Sequence, residues 1–437
     1  TTDIIESKLD FSGKVVETKT THKKLGKADI VTIDSFEYDH VGRMTKQTQK
    51  INSQDTETIA SNSYDELGQL KTKKVGGNLQ KVDYKYNIRG WLKNINQDDD
   101  TTDNDLFNFT INYNKPTDHL KALYNGNISQ INWNTLSVNN TSNTVSSQYE
   151  YTYDALNRIT AATSDAGENY SVSGIQYDLN GNIKNLTRNG WQNSSTFENM
   201  DVLSYEYYLN TNRLKNVNDS GNESYGFKEL ANTSIEYTYD ANGNMIKDDN
   251  KGITSITYNH LNLPVNVTLA GGTINYTYDA SGVKLAKLVK EGVNEKLTQY
   301  AGNYIYENNT LQFFNHPEGY VSPKDVNDLT KGFNYVYQYK DHLGNVRLSY
   351  TDNDGNGVID ASTEIIEESN YYPFGLKHKG YNNVTSSLGN SVAQKFKYNG
   401  KELDESFGLN MYDYGARFYD PAVGRWFTPD ALAEKYY

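Results

Sequence analysis

Aromatic and β-branched residues alternate with polar ones in short runs along most of this chain. Each run ends in Asp or Asn, with Gly or Asn a few residues later. The unit is Tyr-x-Tyr-Asp-x-x-Gly-x-Leu. It appears as "FEYDHVGRM" at Phe36, "NSYDELGQL" at Asn62, "YKYNIRGWL" at Tyr84, "YTYDALNRI" at Tyr151 and "IQYDLNGNI" at Ile175. It returns as "YEYYLNTNRL" at Tyr205, "YTYDANGNM" at Tyr237, "ITYNHLNLP" at Ile256, "YTYDASGVKL" at Tyr276 and "YQYKDHLGNV" at Tyr337. A period of two places the rings on one face of a strand. The Asp or Asn bonds the backbone ahead of it and starts a turn. The next fixed positions are Gly42, Gly68, Gly90, Asn157, Gly181, Asn212, Gly243, Asn262, Gly282 and Gly344. All are Gly or Asn, the residues that best tolerate left-handed backbone, so the constraint is conformational rather than catalytic. The apolar residue that follows (Met44, Leu70, Leu92, Ile159, Ile183) begins the returning strand. Each unit predicts a β-hairpin, and neighbouring hairpins are expected to pair into one long sheet. The spacing wanders: Tyr38 to Tyr64 is 26 residues, Tyr258 to Tyr278 is 20. A propeller or rigid solenoid keeps stricter time.

Composition strengthens the all-β reading. Only 36% of the 437 residues are hydrophobic, and the mean hydropathy is −0.78, a balance that alone would suggest disorder. The 37 tyrosines reverse that, because Tyr favours strands and buries a large ring beside a polar hydroxyl. The net charge of −13 argues against nucleic acid as a partner. There is no cysteine, which excludes disulfides and thiolate chemistry. No apolar run reaches membrane-spanning length. The start, "TTDIIESKLD", shows neither signal peptide nor initiator Met, so both ends are expected to be cuts from a longer polypeptide.

The Tyr-Asp hairpins of irregular length resemble the YD repeats of the RHS family, which also occur in insecticidal toxin complexes and teneurins. "YVYQYKDHLGNVRLSY" (335–350), "NYYPFGLKHKGYN" (370–382) and "KYNGKELDESFGLNMYDYGARFYDPAVGRWFTPD" (397–430) resemble the RHS-repeat-associated core, in the form found in Bacteroidota. The repeat signal covers about Phe36 to Leu285 and the core match about Phe313 to Tyr437. The resemblance implies a continuous sheet spiralling into a hollow shell, with a YD-repeat wall over 1–312 and a closing core segment over 313–437. It implies a secreted or cell-surface bacterial protein. Its partners would be its own C-terminal cargo domain, often a toxin, then an export machinery, with type IX export in view, and a target-cell surface. A cell-surface adhesion or glycan-binding module is the alternative, and it requires tyrosines exposed in an outer groove.

Two motifs bear on chemistry. In this family the chain is often cut just after the core by two aspartates acting as an aspartyl protease. By position these fall on Asp404 in "KELDE" and Asp430 in "TPDAL". Two nearby carboxylates share one proton and so serve as base and acid. This chain departs from the family pattern at Leu403, where Arg is usual, and at 430–433, which reads Asp-Ala-Leu-Ala. The second motif, "DNDGNGVID" (352–360), matches the start of a calcium loop. Asp352, Asp354 and Asn356 would give side-chain oxygens, Val358 its carbonyl, and Asp360 would close the run. The twelfth position is Thr363, with Glu364 one residue late. The flanks read as strands, so a Ca2+-binding hairpin loop is expected as readily as a solvated acidic turn. Arg417 and Arg425 are expected to pair with carboxylates or stack on Trp426. "QDDDTTDND" (97–105) reads as an exposed loop. The seven histidines show no ligand spacing, and no phosphate loop, zinc helix or nucleophile elbow is present.

Overall fold

The computed structural model describes residues 1–96, 105–136, 144–165, 169–193, 196–222, 224–380 and 386–430. The charge run lies outside these residues except for Asp105, as does everything after Asp430. The architecture is all-β. A 16-stranded sheet runs from Thr2–Leu9 to Leu214–Asp219, and a 13-stranded sheet from Tyr237–Tyr239 to Ile365–Glu368, each in strict sequence order. Every named pairing is antiparallel. A four-stranded sheet follows, formed by Glu402–Asp404, Met411–Asp413, Phe418–Asp420 and Arg425–Trp426. The 312/313 boundary falls inside the strand Thr310–His316.

The hairpin unit has a fixed local chemistry. The Asp39 carboxylate accepts the N–H groups of Val41 and Arg43. Asp65, Asp154 and Asp279 repeat this in their own turns. The Gly that follows is left-handed, as at Gly42 with φ 90°. The tyrosine before the turn then reaches back to the previous hairpin. The hydroxyl of Tyr64 donates to Met44 O at 2.7 Å, Tyr177 to Ile159 O at 2.6 Å, and Tyr207 to Ile183 O at 2.6 Å. Each acceptor is the first residue of a returning strand. In these units the repeat ties a hairpin to its predecessor by a side-chain bond in addition to the ladder.

Two expectations need correction. At Tyr205 the left-handed residue is Asn210 (φ 58°), not Asn212. Tyr208 stands where the other units carry Asp or Asn, and the turn is one residue longer, closing from Tyr208 N to Arg213 O. Asn212 instead accepts the side-chain amides of Asn180 and Asn182. The long sheet is also not continuous; it breaks between Asp219 and Tyr237. Across the break, side-chain carboxylates take the N–H groups that a neighbouring strand would take. Glu236 accepts Val217 N at 2.9 Å, Glu229 accepts Asp219 N at 2.6 Å, and Asp201 accepts Phe227 N at 2.6 Å. Gly226 passes so close to Asp201 that a Cβ there would lie 2.0 Å from its carboxylate.

The two large sheets pack on each other. The buried His22 ring stacks on Tyr304 at 3.8 Å and bonds the Tyr306 hydroxyl at 2.8 Å. Tyr337 donates to Glu57 at 2.7 Å and Tyr339 to Gln80 at 2.9 Å. One apolar core draws on all three sheets, with Phe109 and Ile131 from the first, Ile274 and Leu348 from the second, and Met411 and Phe418 from the third.

Candidate functional site

The C-terminal segment is held by buried charge. Lys284 and Lys287 lie on one strand, Lys284–Glu291, and project toward the small sheet. Lys284 Nζ meets Glu402 at 2.8 Å and Asp413 at 2.6 Å. Lys287 Nζ meets Glu402 at 3.1 Å and Asp404 at 3.3 Å. Tyr300 donates to Glu402 at 2.8 Å, and Tyr276 to Asp404 at 2.9 Å. Burial alone would raise the Glu402 carboxyl, but Lys287 and Lys284 bring it down to about 2. For Asp404 burial is the largest single effect and raises it, but Lys287 and the hydrogen bonds from Ser406 together bring its pKa below the ordinary value.

A second anchor lies on the first sheet. Arg188 is fully buried; its Nε meets Asp201 at 2.6 Å. Its two terminal nitrogens donate to Pro421 O, at 3.3 Å, and to Ala422 O. The Tyr205 hydroxyl donates to the next carbonyl, Val423 O, at 3.1 Å. Lys251 adds Leu409 O at 2.8 Å and Asp420 at 3.0 Å. The turn "DPAVG" is therefore captured carbonyl by carbonyl.

The two aspartates of the expected protease stand in different surroundings. Asp404 is buried in the lysine cluster. Asp430 is about half exposed and pairs with Arg417 at 2.8 Å, while Arg417 also stacks on Trp426 at 4.3 Å. Tyr276, which bonds Asp404, and Arg417, which pairs with Asp430, both line an apolar pocket together with Ile256, Val267, Met411 and Phe427. Arg425 meets no carboxylate among the described residues; it covers the Tyr207 ring at 5.0 Å and donates to Asn212 O at 2.8 Å.

The acidic loop joins the strands Val346–Tyr350 and Ile365–Glu368. Oxygens of Asp352, Asp354 and Glu364 lie within 4.8 Å of one another. Glu364 is buried and anchored: Oε1 accepts Asn353 N at 2.7 Å and Oε2 accepts Asp360 N at 2.8 Å. Asn356 donates to Asp354 at 2.8 Å and accepts Val358 N at 2.7 Å. Asp360 turns away to bond Ser362 at 2.7 Å. Val358 has an exposed side chain. Asp352 and Asn356 also border a polar cavity of about 890 Å³ with Glu57, Lys331, Tyr335 and Tyr337.

Sequence reasoning did not single out Lys284, Lys287, Glu402 or Arg188. Arg188 left one local signal: it shares a strand face with Leu186, two residues earlier, where a polar residue should not be. The lysines left none, because their partners lie more than a hundred residues downstream.

No family model matches the chain. Over 216 residues it is 29% identical to salivary gland surface protein 1 of Aedes aegypti, a match covering 45% of this chain and 6% of that protein. Among solved structures it is similar, over 98% of its length, to the Photorhabdus luminescens Tc holotoxin pore, with a TM-score of 0.69 and 18% identity. TcdB2-TccC3-TEV is matched over 98% of this chain with a TM-score of 0.68 and 18% identity. TcdB2-TccC3 without its hypervariable C-terminal region is matched over 97%, at 0.66 and 17%. The chain spans about a fifth of these toxin chains, 20% of the first and 22% of the other two. It has the fold of the corresponding part of the Tc toxins. Among the described residues, no helix is long and apolar enough to cross a membrane.

Proposed function

We propose that this chain is part of the wall of an exported RHS-type shell that encloses a C-terminal polypeptide, such as a toxin, and that the core segment closes it. The carrying observation is the docking of the "DPAVG" turn and the small sheet by Arg188, Lys251, Lys284 and Lys287, which fixes the chain immediately before Asp430. The Tc-toxin fold supports the same reading. Its partners are then its own cargo, a bacterial export machinery and a target-cell surface. The adhesion alternative finds less support, since Tyr124 and Tyr225 are the exposed tyrosines among the described residues. Release would follow self-cleavage after the core by Asp404 and Asp430. The test combines intact mass with limited proteolysis on the natural full-length protein. Polypeptide beyond Tyr437 should resist protease while the sheets are intact, and Asp430→Asn should abolish any cut in that region. Rapid digestion of that polypeptide in the folded protein sinks enclosure, and equal processing in Asp430→Asn sinks the dyad.

A second reading concerns calcium. Three carboxylates converge at Asp352, Asp354 and Glu364, and none pairs with a Lys or Arg among the described residues. Like charges held this close favour a cation between them. We propose a Ca2+ site there, completed by Asn356 and the Val358 carbonyl. Millimolar Ca2+ should raise the melting temperature of the wild type and leave Asp352→Asn/Asp354→Asn unchanged; an equal shift in both, or none in either, excludes it.

A further inference from the structure

We propose that the seam between the two large sheets holds a small oxyanion, a carboxylate or phosphate group, that bridges them. The site is a partly enclosed cavity of about 160 Å³, on the order of ten times what one water needs. Its floor is apolar, with Val75, Val82 and Ile95. Its polar wall comes from both sheets: Lys73 and Tyr84 from the first, Glu318, Lys340 and Tyr350 from the second.

Donors outnumber acceptors there. Lys73 is paired with Glu318 at 2.8 Å. Lys340 stands exposed at the mouth with no carboxylate partner among the described residues, which leaves the site with two ammonium groups and one carboxylate. The hydroxyls of Tyr84 and Tyr350 donate to no acceptor among the described residues. On the strand Phe333–Lys340, Tyr337 donates to Glu57 and Tyr339 to Gln80, whereas the buried Tyr335 hydroxyl has no partner among the described residues. Both hydroxyls open into the cavity, so their acceptor is whatever occupies it. An anion with several lone pairs would accept from both phenols and neutralise Lys340. The small volume favours a lone carboxylate or phosphate group over any larger polyanion. Because its donors come from both sheets, such a ligand binds the docked form and stabilises the seam by mass action.

Thermal unfolding of the purified chain tests this, with sodium phosphate in one arm and sodium acetate in the other, each matched to sodium chloride at equal ionic strength. A saturable rise in melting temperature above the chloride control is expected in at least one arm, and the responsive arm identifies the group. In Tyr84→Phe/Tyr350→Phe the half-saturating concentration should rise at least tenfold. Lys340→Gln, at an exposed position that should not disturb folding, should weaken the response likewise. Tyr124→Phe, remote in sequence and exposed, should leave it unchanged. No saturable rise in either arm, or a rise of equal midpoint in Lys340→Gln, overturns the proposal.

Discussion

Arg188→Met is expected to destabilise the protein by about 3–5 kcal/mol, the usual consequence of removing one partner of a buried ion pair. The guanidinium has no route to water and serves three acceptors at once: Asp201, Pro421 O and Ala422 O. With Met in its place, Asp201 keeps only the Phe227 N–H among its short contacts to the described residues, and two carbonyls of the C-terminal turn lose their donor. The damage should be local as well as global, because this turn positions the strand Arg425–Trp426 and the residues up to Asp430. Equilibrium denaturation should show the loss, and protease should cut first within 405–430. The double variant Arg188→Met/Asp201→Asn should recover a substantial part, since it removes the stranded charge. A loss below about 1 kcal/mol, or no recovery in the double variant, would show that the pair does not anchor the segment.

What could be seen in advance was whatever is local. The alternation of rings, the Asp that opens each turn and the left-handed Gly are all decided within about eight residues, and nine of the ten fixed positions are left-handed as expected. The exception, Asn212, fails because Tyr208 cannot accept the two backbone N–H groups that Asp39 or Asp65 accepts, and the turn lengthens to compensate. The tyrosine rings were legible as packing, whereas their hydroxyl bonds to the preceding hairpin depend on register and were not. The break after Asp219 was illegible because Asp201, Glu229 and Glu236 replace a ladder through tertiary contacts. Of the acidic loop, Asp352 and Asp354 lie as the motif places them, and the late Glu364 converges with them because it sits at the start of a buried strand end. Asp360 Oδ1 accepts the N–H and hydroxyl of Ser362 in its own turn.

Lys287→Met should cost about as much at neutral pH, again on the order of 3–5 kcal/mol, but the deficit should depend on pH. In the wild type the Glu402 carboxyl is depressed to about 2 by the two lysines. A depressed carboxyl contributes stability that is fully present above its ordinary value near 4.5 and is lost as pH falls toward 2. Removing Lys287 strands Asp404, which retains Tyr276 and the Ser406 N–H but no paired cation among the described residues. Glu402 keeps Lys284 at 2.8 Å. Protonation then relieves the variant while it weakens the wild type, so the gap between them should narrow as pH falls from 7 to 4. Lys287→Met/Asp404→Asn should narrow it at pH 7 without acid. Denaturation midpoints for the three proteins at both pH values decide the matter: a gap that stays constant or widens in acid would mean that Lys287 acts through packing of its stem rather than through its charge, and the small sheet would then be held by Lys284 and the apolar core alone.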